Sequence, residues 1–204
     1  MKKFVKEFLK EWWYLLFFFI FLVLLKTFVF SNIKVDGPSM DPTLEHKERM
    51  VMLKFGKIKR FDIVVSKEPD NPKIKIIKRV IGLPKDTVTY DHDQLYINGK
   101  KYNEPYLEEY KKLWKKDKLQ ETYDYNSFFQ ARAQRAEAFT VDENWETKFT
   151  IKVPRAHYLL MGDNRLASKD SRDSAVGPAS FSDIQGKVKL AFWPPKRFGL
   201  IKDY

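Results

Sequence analysis

The chain has 204 residues, no cysteine, three histidines and a net charge of +11. This length suits one ordinary domain with additions, and a chain without cysteine has neither a disulfide framework nor thiolate metal sites. His46, His92 and His157 are not spaced as metal ligands, so neither metal nor cofactor is expected, while the charge favours anionic partners, lipid headgroups or nucleic acid, without choosing between them.

Lys2, Lys3, Lys6 and Lys10 stand against Glu7 and Glu11 in the first residues. Trp12 opens an apolar run that reaches Phe30, broken only by Lys26-Thr27. As a helix this run spans roughly 28 Å, one hydrocarbon core. Lys26, near its end, can snorkel, and Trp12, Trp13 and Tyr14 make an aromatic belt. A cleaved leader would be shorter and end in small residues, which Phe28-Val-Phe-Ser-Asn-Ile does not supply. A core helix would not be apolar on every face. The expected organisation is a cytoplasmic tail over 1–11, oriented by its lysines, a transmembrane helix over 12–30 and an extracytoplasmic domain over 31–204.

Past the anchor comes Val35-Asp-Gly-Pro-Ser-Met-Asp-Pro-Thr-Leu44. Gly37, Pro38 and Pro42 place Ser39 in a rigid turn rather than in a helix or a central strand. On these residues alone, Ser39 is either a presented nucleophile or a turn serine that caps the next element. Short β-rich runs follow at 49–55 and 61–65, with a basic turn between them read as a solvated loop. Then comes Lys73-Ile-Lys-Ile-Ile-Lys-Arg-Val80. Period-two alternation puts Ile74, Ile76, Lys78 and Val80 on one face and Lys73, Lys75, Ile77 and Arg79 on the other. Lys78 is thus in line with the apolar face. There its charged form loses solvation and its pKa falls, making it a candidate general base. Alternatively, Lys78 ends the strand and reaches solvent.

Two further strands, 87–90 and 95–97, flank Asp91-His-Asp-Gln94, and Asn98-Gly99 signals a type I′ turn. From about 104 to 152 the character changes. Leu107, Tyr110 and Trp114 fall at helical spacing, and 126–139 is alanine-rich and helical by pattern. This reads as an inserted subdomain packed by its aromatics. Tyr158-Leu-Leu-Met161 is a strand that runs into the polar loop Gly162-Asp-Asn-Arg-Leu-Ala-Ser-Lys-Asp-Ser-Arg172.

Three segments in this order behind a membrane anchor resemble the bacterial type I signal peptidases: Gly37-Pro-Ser-Met-Asp-Pro-Thr-Leu44, Ile77-Lys-Arg-Val-Ile-Gly-Leu-Pro84, and Met161-Gly-Asp-Asn-Arg165 with Ser168, Asp170, Ser171 and Arg172. The resemblance covers about 36–191 apart from the middle segment, and the set in order is far more specific than any one motif. It implies a mainly β, antiparallel signal-peptidase-like fold carrying a partly helical insertion. It also implies a serine–lysine dyad protease that removes signal peptides from secreted precursors, cutting after small residues in an A-x-A-like pattern. By motif position Ser39 is the nucleophile and Lys78 the general base, and Ser168 is the serine that hydrogen-bonds the lysine. Asp163, Arg79, Asp170 and Arg172 brace the site. The oxyanion hole falls at Ser39 N–H and the position of Gly37, where some relatives have a serine hydroxyl that glycine lacks. Leu166-Ala167 replaces residues that are commonly polar. The partners implied are signal-peptide-bearing precursors and membrane lipid with anionic headgroups. Nucleic-acid binding is disfavoured because the basic residues are scattered and the domain is read as extracytoplasmic. The serine–lysine self-cleaving repressors lack such an anchor. A non-enzymatic anchored β domain, or a peptidase dedicated to one cargo, is the competing reading.

Overall fold

The computed structural model describes residues 2–202 and 204, and the side chains of residue 10 and of those from 12 onward. The charges read at Lys2, Lys3, Lys6, Glu7 and Glu11 lie outside the described side chains. Lys2–Leu24 is one helix, α1, closed by a π-turn over Leu25–Val29. The Trp12–Val29 stretch, which spans the rest of α1 and the π-turn, is unburied, and it is long and apolar enough to cross a membrane. The expected end at Phe30 is corrected. Phe30 already belongs to strand β1, Phe30–Lys34, which pairs antiparallel with β2, Arg49–Leu53. Lys54 continues the join, its N–H reaching Val29 O at 3.0 Å and its Nζ reaching Thr27 O at 2.7 Å.

The remaining strands are β3 (Ile63–Glu68), β4 (Asn71–Gly82), β5 (Thr87–Asp91), β6 (Gln94–Ile97), β7 (Lys100–Tyr102), β8 (Lys148–Lys152), β9 (His157–Met161), β10 (Ala179–Ser180), β11 (Ile184–Trp193) and β12 (Gly199–Leu200). One antiparallel sheet runs β1-β2-β11-β3-β4-β9-β10, with β12 on β11. A smaller antiparallel sheet runs β7-β6-β5-β8. The mainly β, antiparallel expectation holds. Two-residue turns join β5 to β6 through His92 (φ 47°) and Asp93 (φ 67°), and β6 to β7 through Asn98 (φ 52°) and Gly99 (φ 80°). Positive φ at both positions is the hairpin geometry that Asn-Gly favours.

The middle segment supplies α2, Glu108–Asp117, and α3, Ser127–Arg135. Leu107, Tyr110 and Trp114 are buried as their spacing predicts. Two boundaries differ from the sequence reading. Helix α3, capped by the Asn126 side chain on the Phe128 and Phe129 N–H groups, stops at Arg135, and Ala136, Ala138 and Phe139 turn into the core instead. Lys148–Lys152 is no part of a separate insertion, because β8 pairs along β5. The aromatics of the segment form the largest apolar cluster, in which Tyr123, Leu119 and Phe139 join Tyr90 and Ile97 of the small sheet and Leu159, Met161 and Leu166 of the polar-loop region. Full burial of each such side chain contributes about 1.5–3 kcal/mol. A second cluster, with Val35, Met40, Leu44, Ile63 and Val65, seats the loop that carries Ser39.

Candidate active site

Ser39 sits in a loop closed at its base by Val35 N to Glu48 O (2.8 Å) and Lys47 N to Val35 O (3.0 Å). Met40 and Leu44 anchor it in the apolar cluster below. Gly37 has φ 84°, a backbone region open to glycine. Its N–H is committed to His46 Nδ1 at 3.1 Å, so Gly37 supplies no free donor and its expected part in the oxyanion hole is withdrawn. The Ser39 N–H, by contrast, makes no hydrogen bond among the described residues.

Lys78 lies in the inner half of β4. It pairs with Val64 of β3, and with Val64 and Val80 both fully buried its own side chain is on their face. The parity reading therefore holds at Lys78. It fails at Ile74, which is exposed along with Asn71 to Lys75, because that half of β4 is an arm paired only with β3. Burial is the main influence on the Lys78 ammonium and pulls its pKa from 10.5 to about 8, with Asp170 opposing and Arg172 reinforcing the fall. Neither Lys78 Nζ nor Ser39 Oγ makes a hydrogen bond among the described residues, so the two are not joined in this form. Ser168 Oγ is buried and likewise lacks a partner, so the expected Ser168–Lys78 bond is absent.

The polar loop holds these parts together. Asn164 N donates to Ser39 O at 3.1 Å, and Asn164 Nδ2 to Pro38 O at 3.1 Å. Asp170 accepts from Gly162 N at 2.9 Å and from Arg172 Nε at 2.9 Å. Burial would push the Asp170 carboxyl up, but Arg172, Lys78 and the Gly162 N–H together hold it well below the usual carboxylate range. Asp163 accepts from Arg79 Nε at 2.8 Å and Nη2 at 2.6 Å, and from Thr43 Oγ1 at 2.6 Å. All eight expected residues thus fall in or beside one region, where β4, β9 and two loops meet.

Sequence reasoning passed over four residues. Asn164 holds the Ser39 loop. Arg165 and Glu104 form a fully buried ion pair that Tyr90 and Thr140 complete. Gly162 is the fourth, and a Cβ there would stand 2.3 Å from Ser168 Oγ and 2.4 Å from Ser39 O. The legible signal was the glycine itself, at the end of an apolar strand, where two segments of the backbone approach closely. Gly162→Ala is expected to push the Ser39 loop outward, lowering stability by about 1–3 kcal/mol and cleavage with it. Thermal melting and precursor cleavage read the two effects. A cavity of about 480 Å³ adjoins this region, lined by Ser168, Asp170 and Arg172 together with Phe128, Phe129 and Arg132 of α3.

The family model described as signal peptidase, peptidase S26, matches residues 9–193. Signal peptidase I of Streptococcus pneumoniae (strain ATCC BAA-255 / R6) is 49% identical over 201 residues, which cover 95% of this chain and 97% of the relative. Signal peptidase I of Bacillus caldolyticus is 40% identical over 178 residues, 85% of each chain. The crystal structure of a signal peptidase I from Enterococcus faecalis V583 aligns with 65% of this chain and 97% of its own at 30% identity and a TM-score of 0.46.

Proposed function

This chain belongs to the signal peptidases of the peptidase S26 family, and we propose that it is a membrane-anchored serine endopeptidase that removes signal peptides through Ser39 and Lys78. The observation that carries the reading is Lys78. It is a lysine enclosed between apolar strand neighbours, with its pKa lowered to about 8, beside the loop on which the Ser39 carbonyl is docked.

A serine hydroxyl needs a base to become a nucleophile. Neutral Lys78 takes the Ser39 proton as Oγ attacks the scissile carbonyl, then returns a proton to the departing amine. The acyl group on Ser39 is released by water that the same lysine deprotonates. The Ser39 N–H, which makes no hydrogen bond among the described residues, is the donor available to the developing oxyanion. Contacts of this kind close when substrate binds, which accommodates the absence of a Ser39–Lys78 hydrogen bond in the free chain. Asp170 keeps its charge beside the lysine, and Arg172 keeps Asp170 in place. Strand β9 pairs with β4 only from Arg79 to Gly82. The β4 backbone before Arg79 is therefore open on that side to an extended peptide, which would add as a further strand.

Helix α1 serves as the anchor, with the 1–11 tail cytoplasmic and the 31–204 domain on the far side. Phe28 and Phe55, both exposed near the helix exit, and the basic surface fit a bilayer with anionic headgroups. Ser39 follows the anchor by only a few residues, which suits a cleavage site that emerges at the membrane.

The test is incubation of the full chain in detergent with a precursor whose signal peptide ends in an A-x-A-like sequence, with the new N-terminus sequenced. Wild type is expected to cut after the small residue, Ser39→Ala to leave the precursor whole, and a bulky residue at −1 to block wild type. A folded wild type that cuts no precursor, or a Ser39→Ala chain that does, would sink the reading.

A further inference from the structure

The middle segment takes no part in the chemistry above, yet one of its side chains reaches the nucleophile loop through a single intermediary. Tyr123 lies between α2 and α3. Its ring is fully buried against Phe129, with centroids 5.8 Å apart. Its hydroxyl bonds to Asn164 Oδ1. The same Asn164 side chain donates from Nδ2 to Pro38 O, and its backbone N–H donates to Ser39 O, each at 3.1 Å.

The direction of these bonds is dictated by chemistry. Pro38 O only accepts, so the amide must present its nitrogen there and turn its oxygen to Tyr123. The phenol is therefore the donor, and burial, which pushes its pKa above the ordinary tyrosine value, keeps it a donor. Asn164 Oδ1 is buried with its residue, and no group other than the Tyr123 hydroxyl supplies it with a hydrogen among the described residues. Without that hydrogen Asn164 Oδ1 is left buried and unpaired, and the amide loses the second of its two anchors, so its hold on Pro38 O loosens. The Pro38 carbonyl, next to the Ser39 nitrogen, then loses its aligned donor, and Ser39 O is left with the Asn164 backbone N–H alone. A second contact from the segment braces the polar loop that carries Asn164, as Arg132 Nε donates to Leu166 O at 3.0 Å.

We propose that Tyr123 is a positioning residue: through Asn164 it fixes the direction in which Ser39 presents its hydroxyl and its N–H, so that the 104–152 segment is a brace for the nucleophile. The inference rests on the reading of Ser39 as nucleophile.

Tyr123→Phe keeps the ring and removes one oxygen. In precursor cleavage by the full chain in detergent, it is expected to lower kcat about 10- to 100-fold, the scale of a misplaced reacting group, with KM within about threefold of wild type. Asn164→Ala should lose a similar amount, and the Tyr123→Phe/Asn164→Ala pair should be no worse than Asn164→Ala, since one acts through the other. Tyr125→Phe, at an exposed neighbouring ring, should cleave like wild type. A purely packing role predicts a lowered Tm with wild-type kcat, or losses that multiply in the pair, and either result overturns the proposal. If Asn164→Ala does not fold, the kcat and KM of Tyr123→Phe decide alone. Ser39→Ala runs in the same assay, and cleavage by that variant condemns the nucleophile reading separately from Tyr123.

Discussion

Lys78→Met is expected to lower precursor cleavage by about 10⁴-fold, the scale of losing one member of a catalytic unit, and to raise the melting temperature. Both effects have one cause. Lys78 is 4% exposed and its ammonium has no hydrogen-bond partner among the described residues. The fall from 10.5 to about 8 corresponds to a charged form disfavoured by about 3 kcal/mol in the folded chain. Methionine has a similar shape, needs no solvation and removes that cost. Asp170 loses one favourable neighbour but keeps Arg172 and the Gly162 N–H. The sign follows from proton binding. Between about 8 and 10.5 the unfolded lysine holds a proton that the folded one has released, so the Lys78 contribution to stability rises with pH across that window. Its full cost stands below about 8, and there the gain from methionine is largest. Activity moves the same way. At pH 7 only about a tenth of Lys78 is neutral for a pKa near 8, so kcat/KM of wild type should climb with pH and level off above about 8. A kcat/KM profile from pH 6 to 9.5, with melting curves of both chains at pH 7, checks this. Retained cleavage by Lys78→Met would remove Lys78 as the base, and a profile flat through pH 8 would contradict its titration.

How much of this was readable in the chain depends on how local each cause is. The membrane-length helix is written in one uninterrupted run, and the turn at Asn98-Gly99 in two residues. The helix end was misplaced because Phe30 is as apolar as its predecessors. What removes it from the helix is its pairing with Leu53, distant in sequence. Strand β11 escaped notice although it lies in the interior of the large sheet, since an irregularity between Val188 and Leu190 shifts the buried positions from Gly186 and Val188 to Ala191, and no single alternation runs its length. Helix α3 was overrun for the opposite reason. Ala136 to Phe139 has helical propensity, but burial of Ala138 and Phe139 against the small sheet outweighs it.

At the site, Lys78 stood out because a strand face is a local pattern, and the structure encloses it. The motifs named the charged residues but not their partners. Nothing in Glu104 foretells Arg165, nor in Tyr123 its bond to Asn164, because each pair is joined only when the middle segment folds against the polar loop. Gly37 was misjudged because the histidine that occupies its N–H sits at the other end of the same loop.

The largest expected loss of stability comes from Asp163→Ala. Arg79 and Asp163 are both fully buried and joined by two hydrogen bonds, 2.8 and 2.6 Å. Arg79 Nη1 also reaches Phe61 O at 2.9 Å, and the Tyr106 ring lies 3.9 Å from the guanidinium carbon. Burial alone would pull the Arg79 pKa down, but the Asp163 charge and hydrogen bonds outweigh it and raise it. Arginine does not shed its proton in a protein, so alanine at 163 leaves a charge enclosed without its counterion. That costs about 3–5 kcal/mol, a large part of the 5–15 kcal/mol typical of a whole domain. Replacing both partners, Arg79→Met with Asp163→Leu, removes the stranded charge and should recover most of the loss. Cleavage should not recover with it, because Thr43 Oγ1 donates to Asp163 at 2.6 Å and ties the Ser39 loop to this pair. Denaturant midpoints of the three variants in detergent, set beside their cleavage rates, separate the two roles. A double variant that is stable yet inactive identifies the pair as a tie for the nucleophile loop. A double variant that cleaves like wild type limits it to folding, and an Asp163→Ala chain within about 1 kcal/mol of wild type, the scale of an exposed pair, would show that the buried charge finds another partner.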